Sequence, residues 1–171
     1  MSAFDISIEL DGVNEIIDVW KQSPKITTEE LLRATTEGTL LLEREVKDLT
    51  PVGVGGAGGL RGSIAAQEPV VLGDQVLGAV GTSLNYALPV ELGTKPHFPP
   101  VEPLIDWAHA VLGVPESEAP GVAFLIARKI SKKGTKGAFM FSRAFNDKRA
   151  VIERMYERAR DRIVARLADA N

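Results

Sequence analysis

The stretch LRGSIAAQEPVVLGDQVLGAV, residues 60–80, decides the fold. It divides into three short runs, Leu60–Ala66, Val70–Leu72 and Gln75–Val80, that read as strands. Gly73 and Asp74 separate the last two runs by two residues, the signature of a tight hairpin. A small antiparallel sheet is therefore expected here, and the flanking elements must cover it.

Upstream, Thr27-Thr28-Glu29-Glu30 sets Thr27 and Glu30 at capping-box spacing, and Leu31, Thr35, Leu42, Val46 and Leu49 form a helical stripe. Pro51 cannot continue that helix, because its ring clashes and it lacks an N–H. Residues 53–59, GVGGAGG, form a hinge in which little can pack. Near the start, Phe4, Ile6, Ile8 and Leu10 alternate with Asp5, Ser7 and Glu9, the period of a half-buried strand closed by Asp11-Gly12. A short helix around Val13–Trp20 follows and ends before Pro24.

Downstream, Tyr86–Leu92 is apolar on one side and interrupted by Pro89, which suits an edge strand. Pro96, Pro99, Pro100 and Pro103 then demand extended chain. Three helices fill the rest. Leu104–Leu112 stops at Gly113 and Val122–Lys133 stops at Gly134. The last, roughly 142–168, sets Phe145, Ile152, Met155, Tyr156, Ile163 and Leu167 against Arg149, Arg154, Arg158, Arg160, Arg162 and Arg166. The expected fold is α+β: a small antiparallel β-sheet packed against a long α-helix, with additional helices and a long C-terminal helix. One domain spans 1–171, with an N-terminal strand and short helix over 1–24, a core over 25–145 and a basic C-terminal helix over 146–171.

A chain of 171 residues, 44% apolar and 25% charged, has the composition of one soluble domain able to bury a core. The absence of cysteine excludes disulfides and thiolate metal sites. No run approaches the roughly 18 apolar residues of a membrane span, so no membrane partner is expected. The opening Met1-Ser2-Ala3-Phe4-Asp5 lacks the basic and apolar regions of a signal peptide, which points to synthesis and assembly in the cytosol.

The net charge of -3 hides a strong polarity. Residues 1–120 hold 7 Lys/Arg against 18 Asp/Glu, whereas residues 121–171 hold 13 against 5. Such asymmetry suits a polyanionic partner, copies meeting acidic face to basic face, or a monomer with two differently charged ends.

Little in the chain points to catalysis. Gly53, Gly55 and Gly58 match G-x-G-x-x-G, but a dinucleotide site needs that turn between a strand and a helix, and here the order is inverted. No Gly-Lys-Ser/Thr follows to make a P-loop. His97 and His109 sit twelve residues apart on different elements, without a cluster of ligands around them. Ser63 lacks the nucleophile-elbow context, and Glu91 with Glu102 or Asp106 carries little weight as an acid/base couple. The expectation is a non-enzymatic protein with no catalytic residue, cofactor or metal.

Two segments stand out instead. Arg128, Lys129, Lys132, Lys133 and Lys136 form the densest basic run. It reads either as a solvated helix end favoured by the dipole or as a contact for nucleic acid or an acidic neighbour. Tyr86–Pro103 carries Tyr86, Phe98 and Val101 in a long proline-rich loop, suited either to a subunit interface or to covering its own core.

These residues carry a resemblance. Thr50-Pro51-Val52-Gly53 followed by Gly59-Leu60-Arg61-Gly62-Ser63-Ile64 resembles the "T-P-V-x-x-G-x-L-R-x-S-I" stretch of the gene-product-10-like family of phage tail components. Tyr86-Ala87, Val90-Glu91-Leu92-Gly93-Thr94-Lys95 and Pro99 are similar to its "Y-A-x-x-V-E-x-G-T-K…P" motif. Arg128-Lys129-Ile130 through Lys136-Gly137 and Phe139 resembles its basic segment. The ordered set covers residues 50–145. The chain departs from the pattern in the insertion Val54–Gly58 and in Phe139-Met140-Phe141, where the family's proline is missing.

The resemblance implies a structural virion protein, a neck or tail-completion subunit located at the head–tail junction. It implies a homo-oligomeric ring, usually a hexamer, between the connector or stopper and the tail terminator and tail tube. Alternatives are a tail terminator or head-side stopper protein, and a non-specific DNA-binding accessory protein touching DNA in the channel. From loop composition and family position, interface roles are expected for Leu60, Arg61, Tyr86, Glu91, Lys95, Phe98, Arg128, Lys129, Lys132 and Lys133.

Overall fold

Two long helices lie antiparallel and everything else hangs from them. The computed structural model describes residues 13–54, 59–73 and 75–169, with side chains from 23 onward. In chain order the elements are α1 (Val13–Leu49), α2 (Leu60–Ser63), β1 (Ala65–Ala66), β2 (Val70–Leu72), β3 (Gln75–Leu77), β4 (Val80–Gly81), α3 (Ala87–Leu92), β5 (Gly93–Thr94), α4 (Glu102–Leu112), α5 (Ala119–Lys133), β6 (Thr135–Lys136) and α6 (Met140–Asp169). The protein is α+β, as its residue pattern implied. The strand expected over Phe4–Leu10 lies outside the described residues.

Along α1 the buried positions Ile26, Glu30, Ala34, Gly38, Val46 and Thr50 recur every four residues, with half-buried Leu42 in the gap. That spacing makes one continuous face, and the face meets α6. Glu30 pairs with Arg162 and Arg166, Thr35 Oγ1 is hydrogen-bonded to Tyr156 Oη at 2.9 Å, and Glu45 pairs with Lys148. Thr50 reaches Met140 Sδ at 3.2 Å. As numbers rise on α1 they fall on α6, so the helices form an antiparallel hairpin. Ala34 and Gly38 on one side, and Ala144 and Ala159 on the other, are the small residues that let the backbones approach.

This pairing overrides two local signals. The helix does not stop before Pro24, and α1 runs through it. Proline costs one helical hydrogen bond, but the residues just after it, Ile26 and Glu30, are buried at one end of the α1–α6 seam. Thr27 is therefore mid-helix rather than a cap, and Glu30 is spent on arginines of α6. Likewise α6 runs unbroken through 145–146, so neither 24–25 nor 145–146 is a boundary between elements.

The main core cluster is Val46, Leu60, Ile64, Met140 and Ala144, flanked by Leu49, Val80, Leu84, Ala87, Val90 and Phe141. Leu60–Ser63 forms one helical turn rather than a strand. The turn delivers both Leu60 and Ile64 to the cluster, while Ser63 Oγ donates to the Leu60 carbonyl and meets Thr82 Oγ1 at 2.6 Å. Tyr86–Leu92 is also helical, not an edge strand. Pro89 is only the third residue of α3, where a missing N–H costs nothing because the first-turn donors have no partner within the helix.

Residues 65–81 form a β-ribbon. Ala65 pairs with Gly81 and Ala66 with Val80, and beyond a shift of one residue Val70 pairs with Leu77, Val71 with Val76 and Leu72 with Gln75. Gln67 N still donates to Ala79 O at 2.8 Å, so Glu68 and Pro69 together oppose Gly78 alone. This is a bulge placed at a proline that could not have donated to the ladder. At the same point the ribbon presses on α1: a Cβ on Gly78 would lie 2.6 Å from both Thr35 Cγ2 and Thr39 Cγ2. Gly78→Ala should therefore cost about 1–2 kcal/mol, read as a lower urea midpoint, with faster hydrogen exchange in the ribbon than in α6.

A second projection is helical. α4 and α5 pack on each other through the fully buried Ala108, Ala119, Ala123 and Ala127. Their base is a two-residue ladder, Gly93 with Lys136 and Thr94 with Thr135, closed by a 3.0 Å hydrogen bond between the two threonine hydroxyls. Val114 N–H donates to the Ala108 carbonyl across the left-handed Gly113, turning the chain out of α4.

Candidate functional site

Covering the α1–α6 hairpin uses few large side chains. Among the described residues, seven of the twelve buried apolar side chains are alanines, and Ile64, Met140 and Val46 are the largest fully enclosed. Exposed apolar side chains gather on the two projections. On the ribbon, Val70, Val71, Leu72 and Leu77 are 52%, 45%, 58% and 46% exposed. On the helical arm, Phe98, Leu112, Phe124 and Leu125 are all more than half exposed. Clustered exposed apolar side chains are a common feature of surfaces that meet other macromolecules.

The ribbon's exposure has a simple origin. Consecutive strand residues point to opposite faces, so Val70-Val71-Leu72 places apolar groups on both sides of a two-stranded ribbon. α1 covers only part of it.

The ten residues singled out from the sequence take different places. Arg128, Lys129, Lys132 and Lys133 come together along one stripe of α5 and line a groove with Leu125. Phe98 joins the same arm, its ring 6.3 Å from that of Phe124 and tilted by 58°. Lys95 is exposed at the arm's base, where its carbonyl meets His97 Nδ1 at 2.9 Å. Tyr86 is exposed just before α3, and Arg61 binds Asp48 Oδ1 of α1 at 3.1 Å.

Leu60 and Glu91, however, lie inside the subunit and are not available as its surface. Leu60 belongs to the core. Glu91 holds the start of α6: its carboxylate accepts from Phe141 N at 3.0 Å, Ser142 N at 3.1 Å and Ser142 Oγ at 2.8 Å. A carboxylate at a helix N-terminus satisfies donors that lack helical partners and complements the dipole. The glycines around it are packed just as tightly. A Cβ on Gly93 would lie 2.7 Å from Gly137 N, and one on Gly137 would lie 2.7 Å from Leu92 C. The segments 90–95 and 134–142 thus form a joint that carries the helical arm. What the sequence reading missed was the ribbon's own apolar set, Val70, Val71, Leu72 and Leu77. Its signal was available: residues 62–90 contain no Lys or Arg, and Glu68 and Asp74 are their only carboxylates.

Part of the charge polarity is settled within the subunit. Lys148, Arg162 and Arg166 of α6 pair with Glu45, Glu30 and Glu29 of α1, while Arg149–Glu153 and Arg160–Asp161 pair along α6 itself. The C-terminal helix is basic because it lies against an acidic one. By contrast, the four α5 cations make no ion pair among the described residues.

Among the described residues, three carboxylates are held below their ordinary range. The Arg162 hydrogen bond, outweighing burial and helped by Arg166, lowers Glu30. A hydrogen bond from Lys47 and another from Ala66 N lower Glu43, which ties the ribbon base to α1. Burial pushes Glu91 up, but the N–H of Phe141 and the hydroxyl and N–H of Ser142 together outweigh it. Because each folded value lies below the unfolded one, their stabilisation is complete above about pH 4.5. It is lost as pH falls through the folded values. The urea midpoint should hold steady from pH 7 to 5 and drop below 4.5, with net proton uptake on unfolding in acid.

Among the described residues no helix is long and apolar enough to cross a membrane. No protein family, curated protein or solved structure matches this chain.

Proposed function

We propose that this chain is a structural subunit of a tailed-phage virion, a neck or tail-completion protein that forms a ring at the head–tail junction and joins connector to tail. The observation that carries the reading is the pair of projections, both apolar at their surfaces, on a body whose own core is small. A subunit built this way gains its missing burial from neighbours. The residues that resemble the family fall on the joints of the fold. Leu60-Arg61-Gly62-Ser63-Ile64 anchors the ribbon, and Glu91-Leu92-Gly93-Thr94-Lys95 with Gly134–Gly137 anchors the arm. They explain why such motifs would accompany this architecture.

Mass measurement of the purified chain, alone and with tail tubes, tests the assembly. A discrete multimer in either condition is expected, and particles made without the chain should accumulate as unjoined heads and tails. Particles that join normally without it would remove the proposal.

The α5 cations, which make no ion pair among the described residues, favour a second reading, a weak DNA contact in the channel. It requires duplex binding that falls steeply as salt rises.

A further inference from the structure

Resting on the reading of the chain as a ring subunit, we infer that the β-ribbon of one copy docks on the α5 face of the next. The two surfaces differ in position and complement each other in chemistry. The ribbon presents Val70, Val71, Leu72 and Leu77 beside the exposed carboxylate of Glu68, and the sequence from 62 to 90 holds no Lys or Arg. Glu68 makes no ion pair among the described residues. The α5 face presents Phe124 and Leu125 beside Arg128, Lys129, Lys132 and Lys133, and these cations are also unpaired among the described residues.

Their spacing matters. Positions 125, 128, 129, 132 and 133 follow the i, i+3, i+4, i+7, i+8 pattern of one helical stripe. The opposite side, Ala119, Ala123 and Ala127, is consumed by α4. The stripe therefore faces away from its own subunit with an apolar end and a basic end. A nucleic-acid backbone would engage the cations and leave Phe124 and Leu125 uncovered. A strand ribbon that is both apolar and acidic covers both. Because donor and acceptor surfaces are distinct, each copy carries one of each and the contact is heterologous, the type that closes into rings.

The absence of cysteine makes the test direct. Leu72→Cys and Leu125→Cys, both at exposed positions, are co-expressed in separate full-length chains and treated with a short flexible bis-maleimide. A covalent dimer is expected from the mixture, with little from either variant alone. Adding Lys132→Glu and Lys133→Glu to the Leu125→Cys chain should cut the dimer yield at least several-fold. Glu68→Lys and Asp74→Lys on the Leu72→Cys chain should restore a large part of it.

An oligomer of unchanged mass that yields no mixed cross-link overturns the ribbon-to-α5 contact and leaves the ring reading standing. Efficient linking of Leu72→Cys chains to themselves overturns it in favour of ribbon-to-ribbon pairing. If the Lys132 and Lys133 reversals abolish duplex-DNA retention while mass and cross-linking stay intact, the cations serve DNA and the contact as stated fails. A chain that stays monomeric at every concentration and with tail tubes overturns both readings together.

Discussion

Gly134→Val is expected to destabilise the folded protein by roughly 3–5 kcal/mol, the largest effect of any single replacement considered. Gly134 ends α5 at φ 67° and ψ -163°, a backbone conformation that only glycine adopts without strain. Space is also lacking. A Cβ there would run into the Thr94 carbonyl oxygen and lie 2.9 Å from Lys95 C. These are backbone atoms of the facing strand, so neither can rotate aside. The replacement would prise β5 from β6 and break the Thr94–Thr135 hydroxyl contact that closes the arm's base. Urea unfolding followed by circular dichroism measures the loss, and hydrogen exchange should show α4 and α5 losing protection before α1 and α6. Gly121→Ala provides the contrast. That glycine lies in the first turn of α5 with open space around its Cα, so alanine should be neutral or stabilise by up to about 1 kcal/mol. Equal destabilisation by both variants would show that glycine loss, not the crossing at 134, sets the effect.

Glu91→Ala comes next, with an expected cost of about 3 kcal/mol. The side chain is buried and accepts three hydrogen bonds, two of them from backbone N–H groups in the first turn of α6. Alanine leaves those donors without a partner in a site that water reaches poorly. Desolvating an unpaired donor costs more than a made hydrogen bond returns. Glu91→Gln should recover only part of the loss, because an amide offers one acceptor oxygen where the carboxylate offers two. The alanine variant should also flatten the acid limb of the stability profile, since one of the three carboxylates responsible is gone. A loss below about 0.5 kcal/mol for alanine would show that the first turn of α6 is held by its other contacts, a result at the level of an ordinary surface substitution.

Both predictions concern residues that resemble a family motif, and both effects arise inside one subunit. The motif's Glu91, Gly93 and Gly134–Gly137 region holds two chain segments at backbone contact. Val90 O accepts from Ala138 N at 2.8 Å and Glu91 O from Phe139 N at 3.0 Å, which positions Phe139 at φ 52° before α6 begins. If the ring reading holds, assembly would depend on these residues indirectly, through where they place the arm. The contacts between copies would then fall to Phe98, Phe124, Leu125 and the four α5 cations, and to the ribbon.

Much of the fold could be read from the chain alone. The stripe ending at Leu49 before Pro51, the Gly113 and Gly134 stops, the long C-terminal helix and the two-residue turn at Gly73-Asp74 are local signals. Each depends on sterics or hydrogen bonding within a few residues. Local signals failed where distant partners decided the matter. Pro24 sits inside a helix because Ile26 and Glu30 beyond it pack on α6, and Leu60–Ser63 coils because Leu60 and Ile64 must both reach Met140. The charge polarity was equally plain in the composition, but its meaning was not. Only the antiparallel register of α1 and α6 brings Glu29, Glu30 and Glu45 to Arg166, Arg162 and Lys148, pairing within the subunit part of the charge that the composition left open. Spacing along a chain determines which residues share a face; which face meets which, and therefore what is left exposed for another molecule, is decided by packing between segments more than a hundred residues apart.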